Sequence, residues 1–128
     1  MNKVMLVGRM TRNVDIRYTE GENPMAIGRF SIAVDRKIKR EGEQNVDFVN
    51  CKAFGKTAEF INKYFGKGRR IGISGRLNTG SYVNRDGLKV YFVEVLVEEA
   101  EFVDNAPKQN DEEEFEVADS IEEELPWS

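Results

Sequence analysis

The chain contains no histidine, one cysteine and three prolines, and it has no long apolar run. Without histidine it lacks the commonest metal ligand and the commonest general base. Lone acids or lysines could still do chemistry, but an enzyme is disfavoured, and no catalytic residue, metal or cofactor is expected. The lone Cys51 has no partner for an intramolecular disulfide. No stretch approaches the ~20 apolar residues of a membrane span. The opening Met1-Asn2-Lys3-Val4-Met5-Leu6-Val7-Gly8-Arg9 is too short in its apolar run for a signal peptide. The expectation is a soluble, cytoplasmic protein with no membrane partner.

What is present divides unevenly. The 128 residues suffice for one domain. Residues 1–103 hold 18 Lys and Arg against 13 Asp and Glu, a net +5, while residues 104–128 hold one Lys against 10 acids, a net −9. The whole-chain pI near 5.0 therefore conceals a mildly basic body joined to an acidic tail. The break falls near Asp104-Asn105-Ala106-Pro107, ahead of the acidic runs Asp111–Glu114 and Glu122–Glu124. So polar a segment cannot bury enough apolar surface to offset chain entropy, and 104–128 is expected to be disordered.

Within 1–103 the periodicity is mostly two. Lys3–Arg9, Gly28–Asp35, Val46–Phe54, Arg70–Arg76 and Lys89–Val97 read as strands, and Phe30, Ile32 and Val34 share one face. Asn84-Arg85-Asp86-Gly87 carries an Asp-Gly turn signal, which makes 78–97 a hairpin. The segments 20–24 and 40–43 read as loops. One segment has helical spacing: Thr57 as cap, Phe60, Ile61, Tyr64 and Phe65 as the apolar stripe, and Gly66 as the stop. Three strands, a helix and two further strands are the order of an all-β, five-stranded OB-fold Greek-key barrel, an architecture whose open face binds oligonucleotides.

The strand Val46–Phe54 is the most informative. One face reads Val49, Cys51, Ala53, small and apolar, and assigns Cys51 to the core. The other reads Phe48, Asn50, Lys52, Phe54. Rings interleaved with a cation suit stacking on bases of any sequence beside neutralised phosphate. The same rings could instead cover the helix or a subunit interface. Tyr82, on a polar hairpin, is either a third stacking residue or an exposed β-former. The cations are scattered, densest in Arg36-Lys37-Ile38-Lys39-Arg40. That run would guide a phosphate backbone or simply solvate a hairpin end. Gly55-Lys56-Thr57 lacks the earlier glycine of a P-loop, since position 50 is Asn50, so nucleotide hydrolysis is rejected. The end of the tail, Glu122-Glu123-Glu124-Leu125-Pro126-Trp127-Ser128, suits a basic, apolar pocket on another protein.

Taken together, these residues resemble the bacterial and phage single-stranded DNA-binding protein family. The likeness rests on Met1–Arg9, Ile16-Arg17-Tyr18, Ala26–Val34, Asp47–Glu59 and Gly75–Tyr82, in order and at matching spacing, and it covers 1–103 nearly end to end. It implies an OB-fold homotetramer, associated with the nucleoid, that wraps single-stranded DNA around aromatic side chains. The matching positions are Phe48, Phe54 and Tyr82. A fourth family aromatic corresponds to Ile38, which cannot stack as a ring does. Positions before Tyr82 that are often basic are here Asn78, Gly80 and Ser81, a less positive groove edge. The family tail ends in a Pro followed by a terminal Phe and docks replication, recombination and repair proteins. Leu125, Pro126 and Trp127 match it, with Trp in place of Phe and Ser128 added.

The expected mechanism is non-catalytic. Phosphates follow Arg17, Lys52, Lys56, Lys67, Arg76 and Lys89, bases stack on Phe48, Phe54 and Tyr82, and the tail recruits enzymes. The rivals are an OB-like subunit that binds protein through the same face, and a small enzyme, which the lack of histidine and of any paired catalytic constellation disfavours.

Overall fold

Apolar residues at alternate positions need a second layer to bury them, and here a barrel supplies it. The computed structural model describes residues 1–104. Its elements are β1 (Val4–Met10), β2 (Asp15–Tyr18), β3 (Ala26–Asp35), β4 (Val46–Phe54), α1 (Gly55–Tyr64), β5 (Arg70–Val83) and β6 (Lys89–Glu101). The strand order is β1-β5-β6-β4-β3-β2, and β1 also pairs with β3. The circuit β1-β5-β6-β4-β3 therefore closes on itself as a five-stranded barrel, with β2 attached outside β3. All pairings are antiparallel except β4 with β6. This is the expected OB-fold barrel, with the helix between its third and fourth strands.

The inward faces meet as expected. Phe30 and Ile32 from β3, Cys51 and Ala53 from β4, Ile71 and Ile73 from β5, and Val95 and Val97 from β6 are all buried. The helix closes one end of the barrel through Ala58 and Ile61. Beside it, Phe60, Tyr64, Phe65 and Phe102 form an aromatic cluster, with the Phe65 and Phe102 rings stacked at 4.9 Å between centroids. Burial of these rings and their mutual packing anchor the helix to the residue that follows the last strand.

Closure depends on close backbone approach. A Cβ on Gly75 would run into the carbonyl oxygen of Leu96, and the β5–β6 register shifts between Ser74 and Gly75. Glycine at this bulge lets the strands bend without parting.

Four local expectations are corrected. Thr57 is not the cap: the helix begins at Gly55, with Phe54 at the cap position and no side-chain capping bond. Gly66 follows the capping residue Phe65 but lacks the positive φ of a left-handed glycine stop, and the last turn closes through the Phe65 amide, which donates to the Ile61 carbonyl at 2.8 Å. The four-residue β2 goes unanticipated. The segments 70–76 and 78 onward are one continuous 14-residue strand, whose bulge keeps it paired throughout. Of the acidic tail only Asp104 is described, accepting a hydrogen bond from Arg70 Nη1 at 3.1 Å, and residues 105–128 lie outside the described residues.

Candidate nucleic-acid interface

The strand registers assemble the outer face row by row. One row crosses five strands. Arg76 on β5 and Lys52 on β4 both pair with Leu96 on β6, Lys52 pairs with Arg29 on β3, and Arg29 pairs with Asp15 on β2. Three cations from separate strands thus lie in line. At the helix end of the face, Phe54 pairs with Ile27, which pairs with Arg17. Lys52 Nζ sits 5.4 Å from the centroid of the Phe54 ring, a cation–π contact that leaves the ammonium beside a ring face.

Phe48 and Phe54 are 66% and 39% exposed on this face, and neither belongs to the core. They are six residues apart on one strand, hence ~20 Å apart. Toward the other end the β5–β6 pair leaves the barrel as a hairpin. Its turn is built on Asn84, whose side-chain oxygen accepts the amides of Asp86 and Leu88 at 2.9 and 3.0 Å. Gly87 takes the positive φ of 79° that an Asp-Gly turn requires. The outward side of this hairpin carries Arg76 with Leu96, Asn78 with Glu94, Gly80 with Phe92 and Tyr82 with Val90. Tyr82, 56% exposed, therefore lies on the same face as Phe48, Lys52 and Phe54.

The proposed phosphate contacts do not all join this face. Arg17, Lys52 and Arg76 do, although Arg17 is 3.5 Å from Asp15. Lys89 does not. It pairs with Val83, one residue out of step with Tyr82, and so projects from the opposite side of the hairpin, 5.4 Å from the Tyr91 ring centroid. Strand alternation forces this once the turn sets the register. Lys56 lines a groove beside the start of the helix with Thr57, Phe60, Glu98, Glu99 and Glu101, amid carboxylates. Lys67 lies after the helix, in a loop held by its own amide, which donates to Asn13 Oδ1 at 2.8 Å. Arg29, at the centre of the cationic row, was not among the expected phosphate contacts, and period-two alternation along β3 could have placed it on this face. Phe92, in the apolar run Val90–Val93, also lies on the outward side of the hairpin, paired with Gly80.

At the base of the β3–β4 loop, Arg36 Nε and Nη2 both donate to Asp47 Oδ1, at 3.1 and 2.8 Å, and Nη1 donates to the Gln44 carbonyl at 3.0 Å. The hydrogen bond from Arg36 holds the Asp47 carboxyl below its ordinary pKa. Arg36 is thus occupied in closing the loop, and the cationic reach of 36–40 falls to its neighbours. Cys51 is buried, and desolvation, reinforced by the charge of Glu94, pushes its thiol up to about 12. A neutral buried thiol is no nucleophile at physiological pH. Among the described residues no cluster of acids and cysteine could hold a metal, and no helix is long and apolar enough to cross a membrane.

An oligonucleotide-fold barrel whose outer face carries separated rings and a line of cations defines a class of nucleic-acid-binding proteins. Within that class the chain belongs to the single-strand binding protein family, whose sequence profile matches residues 1–103. It is 40% identical over 110 residues to single-stranded DNA-binding protein 3 of Clostridium acetobutylicum, covering 86% of this chain and 76% of the relative. It is 43% identical over 109 residues to single-stranded DNA-binding protein B of Bacillus subtilis, covering 84% of this chain and 95% of the relative. A third relative, the single-stranded DNA-binding protein of Clostridium perfringens, is 43% identical over 105 residues, covering 82% and 67%.

Proposed function

We propose that this chain binds single-stranded DNA without sequence preference and without catalysis, and holds it from re-pairing and from nucleases during replication, recombination and repair. The observation that carries the reading is the outer face itself, where Phe48, Phe54 and Tyr82 lie with Arg17, Arg29, Lys52 and Arg76. Rings take bases and cations take phosphates, and neither contact reads a base edge. Lys56 and Lys67, off this face, could take phosphates only where the strand leaves it. Met5, Val7, Tyr91 and Val93 are exposed apolar side chains away from that face. Such surface suits contacts between subunits of a homotetramer. In solution the protein acts in the cytoplasm, at the nucleoid.

The acidic residues 104–128 form the second functional unit, docking partner enzymes through Leu125, Pro126 and Trp127. Their −9 opposes the body's +5, so they also compete weakly with DNA.

Titration of labelled oligo-dT over a salt series tests the reading. Binding is expected to favour dT over duplex, with a log–log salt slope near −0.7 per phosphate neutralised. A flat salt response, a preference for duplex or no binding would overturn it, the last favouring a protein-binding subunit. For the tail, Trp127→Ala should leave DNA affinity unchanged while abolishing pull-down of replication and repair enzymes. Equal recovery of partners by both proteins would refute the docking role.

A further inference from the structure

The outward side of the β5–β6 hairpin departs from the rest of the interface in one respect. Between Arg76 and the turn its residues are Asn78, Gly80 and Tyr82 on β5 and Glu94, Phe92 and Val90 on β6, with no cation among them. Asn78 Nδ2 donates to Glu94 Oε2 at 2.9 Å, so the one carboxylate is itself engaged. The next pair is Gly80 with Phe92. Any side chain at position 80 would collide with the Phe92 ring: a Cβ there would lie 2.5 Å from its Cζ and 2.8 Å from its Cε2. The ring therefore lies across the glycine, in space a side chain would otherwise take. Its centroid is 6.5 Å from that of Tyr82, with the planes 36° apart. Phe92 is only half-buried. It also lies as far beyond the Lys52–Leu96 pair along β6 as Phe48 lies along β4.

We propose that Phe92 is a further base-stacking residue, and that with Tyr82 it forms an aromatic platform standing where the hairpin has no cations. This rests on the outer face being the single-stranded DNA site. Backbone beneath the ring at Gly80 and Tyr82 beside it limit its rotation, so little side-chain entropy remains to be lost on binding. Stacking on a neutral ring releases no counterions, so the hairpin contributes affinity that salt does not erode. Bare glycine at position 80 is the feature that makes room for it.

The test uses the full chain, labelled oligo-dT and three variants. Phe92→Leu keeps apolar bulk over Gly80 but removes the ring, Phe92→Tyr keeps the ring, and Phe48→Leu is the reference. Phe92→Leu should weaken binding ~5- to 150-fold, the range for a single base stack, by the same factor at every salt concentration. The log–log slope and the thermal midpoint should stay at wild-type values, and Phe92→Tyr should bind as wild type. Wild-type affinity in Phe92→Leu, with Phe48→Leu weakened, would overturn this inference and leave the site reading intact. A lowered thermal midpoint with weakened binding in both Phe92 variants would make the ring structural and overturn it too. A wild-type chain that does not bind dT would overturn the function itself.

Discussion

The barrel wall and the hairpin that extends from it share one outer face but are furnished differently. On the wall, rings and cations alternate: Phe48, Lys52 and Phe54 on β4, with Arg29 and Arg17 on the adjoining strands. On the hairpin the rings of Tyr82 and Phe92 lie together with only the Asn78–Glu94 pair for polar company. Each strand pair uses the same alternation, yet on the proposed reading the wall would combine stacking with counterion release, whereas the hairpin would rely on stacking. A strand crossing the face would meet a salt-sensitive grip and then a salt-insensitive one.

That contrast can be broken in four places. The largest effect is expected on the wall, where Phe54→Ala should cost ~1–3 kcal/mol of binding for each base that no longer stacks, with little change in thermal stability because the ring is outside the core. Weakened folding with unchanged affinity, read by thermal denaturation and dT titration, would place Phe54 in the core instead. Next, Arg29→Ala with Lys52→Ala should flatten the log–log salt slope by ~0.7 for each phosphate no longer neutralised, whereas Tyr82→Ala should lower affinity without moving the slope. Equal slope changes from both regions would erase the distinction. A smaller effect is expected from Glu94→Gln. Removing the outward carboxylate should raise affinity modestly at low salt and not at high salt, where screening has already removed its repulsion. The smallest belongs to Lys89→Ala, which should bind as wild type at every salt concentration because its side chain leaves the opposite side of the hairpin.

The wall was readable because β4 alternates from Phe48 to Phe54: the buried Cys51 and Ala53 are small, and the exposed Phe48 and Phe54 are large. The hairpin was less so. Whether Lys89 shares a face with Tyr82 depends on the register set by the loop at Asn84, and a one-residue difference reverses the answer. Phe92 sits between Tyr91 and Val93 in a run that looks uniformly apolar, and only its pairing with Gly80 distinguishes it. Asp15–Tyr18 is too short and too charged to announce a strand, and becomes one because β3 offers it an edge. Nothing in the sequence around Gly75 and Gly80 says what they do, although one allows the bulge and the other makes room for a ring. At the helix, Thr57 has the right chemistry for a cap, but the chain turns directly from Phe54 into Gly55, two residues earlier.

The most direct test of the site is ultraviolet cross-linking of oligo-dT to the full chain, with the attached residues identified by mass spectrometry. Cross-links are expected at Phe48, Phe54 and Tyr82, all on the outer face. Attachment instead at Tyr91 or Met5, with those rings unmarked, would put the DNA on another surface and contradict the account.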